Sequence, residues 1–136
     1  VAPGDVRLWD DAVFAPWGEA GSREGVVYYA RAGRAEAKAR LPFELVPVSA
    51  NGTTFRLLRD GKPVAAQAVT LIGPGIGPGR AKSELVTDVA GQVAVTTAAP
   101  GRYLLVAARK EPGRKTLPGG TVDAVHHITT TSFVAS

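Results

Sequence analysis

The only two imidazoles in the chain stand side by side, as His126-His127. Imidazole together with carboxylate or phenol is a ligand chemistry for zinc, nickel, cobalt or iron. Asp123 lies just upstream, and Asp10, Asp11, Glu44 and the phenols of Tyr28 and Tyr29 are the other donors such an ion would need. Consecutive residues of a strand point to opposite faces. Two adjacent histidines therefore share an ion only where a bulge breaks the alternation. Regular geometry instead packs one histidine inside and leaves the other at the surface. The segment Glu111–Asp123, with His126, His127 and one tyrosine, is the leading candidate for a transition-metal site. The chain has no cysteine and no methionine, which excludes thiolate nucleophiles, disulfides, Cys-ligated metals and methionine-held copper.

A second group of residues could contact a ligand or partner. Asp10-Asp11 lies between Trp9 and the run Phe14-Ala15-Pro16-Trp17. An acidic pair flanked by aromatics forms either a binding notch or a turn anchored to the core by its rings. Tyr28 and Tyr29 must alternate, one inward and one outward. Trp9, Trp17 and Tyr28 exposed together would suit a small-ligand carrier. Catalytic signals are missing. No serine sits in a Gly-x-Ser-x-Gly elbow, and nothing in the sequence brings one to Asp123 and the histidines. The loop Gly73–Gly79 lacks the Gly-Lys-Ser/Thr ending of a phosphate cradle. These readings point to a non-catalytic protein.

The elements that must position these residues are short strands. The 136 residues are one domain's worth, with 16 glycines and 10 prolines, many for the length and suited to an all-β fold with frequent turns. Strands are predicted at Val6–Trp9, Gly25–Ala30, Phe43–Val48, Thr54–Arg59, Ala68–Ile72, Glu84–Thr87, Gln92–Thr96, Arg102–Ala108 and Val125–Val134. Asn51-Gly52, Asp60-Gly61, Asp88–Gly91 and Pro100-Gly101 read as turns. Arg34–Arg40 reads as a loop or a single helical turn, and Glu111–Thr121 as a long loop. The spacing predicts one antiparallel β-sandwich, less regular over residues 1–48 than over 53–136. The net charge of +4 is small for a nucleic-acid binder. The basic groups Arg31, Arg34, Lys38, Arg40 and Lys110, Arg114, Lys115 read as solvated loops, without interleaved aromatics. No apolar run reaches the roughly 20 residues of a membrane-spanning helix. The missing initial methionine is expected of an exported chain that has lost its leader, or of a trimmed one.

Phe55–Val106 carries further pattern: Phe-Arg-Leu-Leu-Arg-Asp-Gly-Lys-Pro-Val, then Ala-Val-Thr-Leu, Thr-Asp-Val-Ala-Gly-Gln-Val and Pro-Gly-Arg-Tyr-Leu-Leu-Val. This resembles the transthyretin-like or carboxypeptidase-regulatory-like class of immunoglobulin-type sandwiches. Adding Val26–Ala30, Pro42–Pro47 and the His127-Ile128-Thr129-Thr130 strand, most of the chain resembles a bacterial periplasmic domain family with members described as nickel or cobalt uptake components. The resemblance implies export to the periplasm, a role in acquiring iron, nickel or cobalt, and a membrane transporter or other periplasmic protein as partner. Such proteins often begin with a histidine-bearing segment, whereas this chain has no histidine before residue 126. The reading from a different class is a structural or protein-interaction domain without a metal role.

Overall fold

The structure, a computed structural model, describes residues 5–12, 15–74, 82–97 and 99–135. Among them ten strands form and no helix: β1 Val6–Asp10, β2 Glu24–Ala32, β3 Phe43–Pro47, β4 Thr54–Arg59, β5 Lys62–Pro63, β6 Ala68–Ile72, β7 Lys82–Val86, β8 Gln92–Ala94, β9 Gly101–Leu117 and β10 Gly120–Ala135. Accordingly, no helix of the described residues is long and apolar enough to cross a membrane. The strands make two sheets. The larger has the order β1-β2-β10-β9-β6-β7, and in the smaller β3 and β4 pair while β5 and β8 both pair with β4.

Period-two alternation builds the layer between the sheets. Along β10, Val125, His127, Thr129, Thr131, Phe133 and Ala135 are buried, and the residues between them are turned outward. Val27, Tyr29, Leu105 and Phe133 from the larger sheet pack with Phe43, Leu45, Phe55 and Leu57 from the smaller. The Phe133 ring stacks on Phe55 and Tyr103 with centroids 5.2 and 5.5 Å apart, and Thr131 Oγ1 donates to the Leu45 carbonyl across the sheets. The expected turns form. Asp60 and Gly61 both hold positive φ, 51° and 80°, matching the primed hairpin turn that joins β4 to β5. Asp88 Oδ1 accepts the Ala90 and Gln92 N–H groups. The Tyr103 hydroxyl donates to the Ala99 carbonyl at 2.6 Å.

Three expectations are corrected. The sheets are not wholly antiparallel: β10 runs parallel to β2 over nine residue pairs, from Ala124↔Glu24 to Ser132↔Ala32. Apolar alternation fixes which face a residue takes but carries no strand direction. Glu111–Thr121 is not a loop, because β9 and β10 continue through it as one long hairpin. Its glycine and proline are accommodated locally. Past Val106, β9 is paired only with β10, so Pro112 lies along a free edge. Gly113 takes a φ of 129° where the register shifts between Val122 and Ala124.

Arg31 is not solvated. It is buried, pairing with Asp5 and with Glu44, whose Oε2 lies 2.5 Å from Arg31 Nη1 and 3.1 Å from Arg7 Nε. Arg7 and Arg31 face each other across β1 and β2, and the Glu44 carboxylate between them offsets their repulsion. Of the two readings of Arg34–Arg40, the loop is the one that forms. Asp5 accepts the Ala35 and Glu36 N–H groups, and Glu44 accepts those of Arg40 and Leu41. In the Gly73–Gly79 loop, residues 75–79 lie outside the described residues.

Candidate functional site: two faces of one sheet

Alternation divides the two tandem pairs, Tyr28-Tyr29 and His126-His127, between the faces of the larger sheet. Tyr29 and His127 point inward, each 2% exposed. Tyr29 Oη lies 2.9 Å from His127 Nδ1, with the rings stacked at 5.8 Å and Phe43 edge-on to both. On the far side of the imidazole, His127 Nε2 is 3.4 Å from Glu111 Oε1. Glu111 in turn receives a fork from Arg59, at 2.8 and 3.0 Å. Burial lowers the His127 pKa to about 4, the Arg59 charge adding to it, so the ring is neutral at pH 7. Burial likewise pushes the Tyr29 phenol up to about 12. A neutral imidazole has one donor and one acceptor. The tautomer consistent with both contacts accepts the Tyr29 hydroxyl at Nδ1 and turns Nε2–H toward Glu111. The Arg59 hydrogen bonds hold Glu111 below the usual carboxylate range.

The structure thus gathers His127, Glu111 and one tyrosine from the expected metal site, but on opposite edges of the imidazole. One ion cannot take Nδ1 with the phenol and Nε2 with the carboxylate. The Arg59 guanidinium already occupies the cationic position beside Glu111. The cavity there, about 150 Å³, is also lined by Arg114 and Lys115. Asp123 Oδ2 accepts the Arg23 N–H at 2.9 Å, and all of Glu44's partners are arginines or backbone amides. Among the described residues no group of three or more His, Asp or Glu side chains could hold a metal ion.

The outward pair meets different company. Trp17 stacks on His126 with centroids 5.6 Å apart, and both line a cavity of about 290 Å³ with Val26, Tyr28, Ala108 and Ile128. Trp17 is placed there by a backbone bridge to Glu24, each residue's N–H donating to the other's carbonyl at 2.9 and 2.8 Å. Glu24 closes the rim: its Oε1 lies 2.6 Å from Lys110 Nζ and 3.0 Å from His126 Nε2. Hydrogen bonds from Lys110 and then His126 depress its pKa. Asp10 sits opposite Tyr28 in the β1–β2 register and accepts the Ala12 N–H in a two-residue turn. Asp11 follows in that bend, the anchored turn rather than a notch. Trp9 belongs to the other face, stacked on Tyr29 at 6.2 Å, so Trp9, Trp17 and Tyr28 do not form one carrier pocket. Phe14 lies outside the described residues.

The cavity is one end of a wider surface. The ladder places Val6 and Leu8 of β1, Ala30 of β2, Ile128 and Thr130 of β10, Leu104 and Val106 of β9 and Ile72 of β6 on the outer face, as far as Val86 of β7. Val6, Leu8 and Val86 are 69%, 65% and 64% exposed. The charged residues of this face, Asp10, Glu24, Arg102, Lys110, Lys82 and Glu84, lie at strand ends or on the edge strand. A sheet with one solvated face ordinarily alternates polar residues outward. The signal for the departure was present in the sequence. Val-Val-Tyr-Tyr-Ala and Tyr-Leu-Leu-Val-Ala-Ala are continuous apolar runs, the pattern of strands covered on both sides.

In comparisons with known proteins, the chain matches no protein family, no curated protein and no solved structure.

Proposed function

We propose that this chain is a non-catalytic binding module that docks a partner protein through the outer face of its six-stranded sheet, anchored by an apolar side chain of the partner in the Trp17–Tyr28–His126 cavity. The carrying observation is the apolar centre of that face with its charges confined to the margin, the anatomy of a protein interface. An aromatic-walled notch beside a flat apolar surface is the setting in which one inserted side chain dominates binding. The occupant is a different protein rather than a second copy. The face's own apolar residues lie in flat ladder rows, whereas the notch calls for a projecting side chain. The resemblance of the sequence to periplasmic metal-uptake domains supplies the setting, an exported accessory protein acting beside a transporter. Within this reading the fold is of the immunoglobulin or transthyretin-like type. The Tyr103 hydroxyl bonded four residues upstream has the form of the tyrosine corner of such sandwiches.

Photocrosslinking in cells tests the proposal. A benzophenone amino acid at Leu8 or Ile128 is expected to trap one partner protein, identified by mass spectrometry. The same probe at Val89, exposed on the Asp88–Gly91 turn, is expected to trap none. A crosslinked dimer of this chain, equal capture from Val89, or no adduct from the outer face would overturn it.

A further inference from the structure

A further cavity, of about 570 Å³, lies where β2 and β10 end, lined among others by Asp5, Gly33, Arg34, Asn51, Arg102 and Ser132. Arg7, Arg31 and Arg59 all face carboxylates within salt-bridge distance. Arg34, which is half-buried, has no such partner among the described residues. Its guanidinium lies 4.6 Å over the Phe133 ring and donates to the Gly52 and Val134 carbonyls at 3.0 and 3.3 Å. Two of its five N–H donors are thereby engaged, and no carboxylate among the described residues pairs with it. The Asn51 N–H donates to the Arg34 carbonyl at 2.7 Å, fixing the loop to the arginine, while the Asn51 side-chain amide has no hydrogen-bond partner among the described residues. Arg102, opposite Val134 in the β9–β10 register, is exposed on the rim, and its side chain has neither ion pair nor hydrogen bond among the described residues. Asp5 is the one acid among the described residues that line the cavity. Its oxygens accept from Ala35, Glu36 and Arg31, so its charge is balanced from behind.

We propose that this cavity is a carboxylate-binding site. Ring and carbonyls hold Arg34 in place before any ligand arrives, so its remaining N–H groups can fork onto a planar carboxylate with little reorganisation. Arg102 closes on the ligand from the rim and Asn51 supplies an amide donor. The volume exceeds that of a lone oxyanion, so the ligand carries the carboxylate on a larger body. A free polycarboxylic acid and the acidic side chains of a peptide offer the same chemistry. The site is separate from the outer-face notch and does not depend on the partner proposed there.

Amide NMR titration at constant ionic strength tests it, with sodium citrate and N-acetyl-tetraglutamate as probes and sodium sulfate as control. Saturable shifts confined to Gly33, Arg34, Asn51, Arg102 and Ser132 are expected with at least one probe. A response to citrate alone assigns a free acid, and a response to tetraglutamate alone assigns an acidic segment. Arg34→Gln and Arg102→Glu are each expected to weaken binding at least tenfold. The Arg102 side chain is exposed and has no partner among the described residues, so its variant keeps the fold even if Arg34→Gln does not. No shift with either probe, equal shifts with sulfate, or undiminished binding by Arg102→Glu would overturn the proposal.

Discussion

Tyr29 and His127 share a 2.9 Å hydrogen bond between the sheets although 98 residues separate them in sequence. Their chain neighbours Tyr28 and His126 line one cavity on the opposite face. The parallel pairing of β2 with β10 makes both relationships at once. It sets Ile128 beside Tyr28 and Thr129 beside Tyr29, so each tandem pair presents one member to each side.

The inward histidine makes stability pH-dependent. Its folded pKa, about 4, lies below the ordinary value of 6.5, so below pH 6.5 the unfolded chain binds more protons and folding weakens. The loss accumulates from about pH 6.5 down to about 4, and His127 adds nothing further below that. Glu36, held at about 2 by its Arg7 hydrogen bond, and Glu111, held low by Arg59, stabilise the fold above the ordinary carboxylate pKa. Their contribution is lost at still lower pH. Urea midpoints between pH 7 and 4 are expected to fall for the wild type and to fall less for His127→Gln. That variant keeps an acceptor for Tyr29 but does not titrate in this range. Parallel declines would contradict the assignment.

Strand positions and turns were legible where a residue's own type decides them. Thr54–Arg59 and Ala68–Ile72 fall at their expected bounds, because the Asp-Gly corner and the alternation beside it are local. The division of His126 from His127 follows from alternation as well. The parallel partner of β10 was not legible, since β2 and β10 are far apart in sequence. Neither was the strand character of Glu111–Leu117, where Pro112 and Gly113 read as loop residues until a free edge and a bulge accommodate them. Arg31 looked solvated because the acids that pair with it, Asp5 just before β1 and Glu44 of β3, come from distant parts of the sequence.

Removing the carboxylate between Arg7 and Arg31 leaves two guanidiniums facing each other in the interior. Glu44→Ala is expected to lower unfolding free energy by about 3–5 kcal/mol, the cost of breaking a buried pair by one partner. Arg40→Ala, which removes only an exposed contact to Glu36, is expected to change it by less than about 1 kcal/mol. Urea denaturation of both variants compares them directly.

The Tyr103 hydroxyl binds the Ala99 carbonyl at the start of β9. Tyr103→Phe keeps the ring stack with Phe133 and removes that bond together with the one the hydroxyl accepts from the Ala99 N–H. A loss of about 1–2 kcal/mol is expected from thermal or urea unfolding, with an unchanged far-ultraviolet circular-dichroism spectrum.

The hairpin tip positions the outer-face notch. A Cβ on Gly119 would lie 2.7 Å from Pro16 Cδ, next to Trp17 in the chain. Gly119→Ala is therefore expected to displace Trp17 from His126. In a Trp9→Phe background, Trp17 fluorescence should shift to longer wavelength, with the folded fraction unchanged. An unaltered spectrum would show that the tip does not set the ring.

Affinity for the crosslinked partner tests the docking face most directly. By titration calorimetry, Tyr28→Glu puts a charge into the notch without touching the core. Binding is expected to weaken at least tenfold, about 1.4 kcal/mol or more, while Val89→Glu leaves it unchanged. Equal affinity for Tyr28→Glu and wild type would contradict the account.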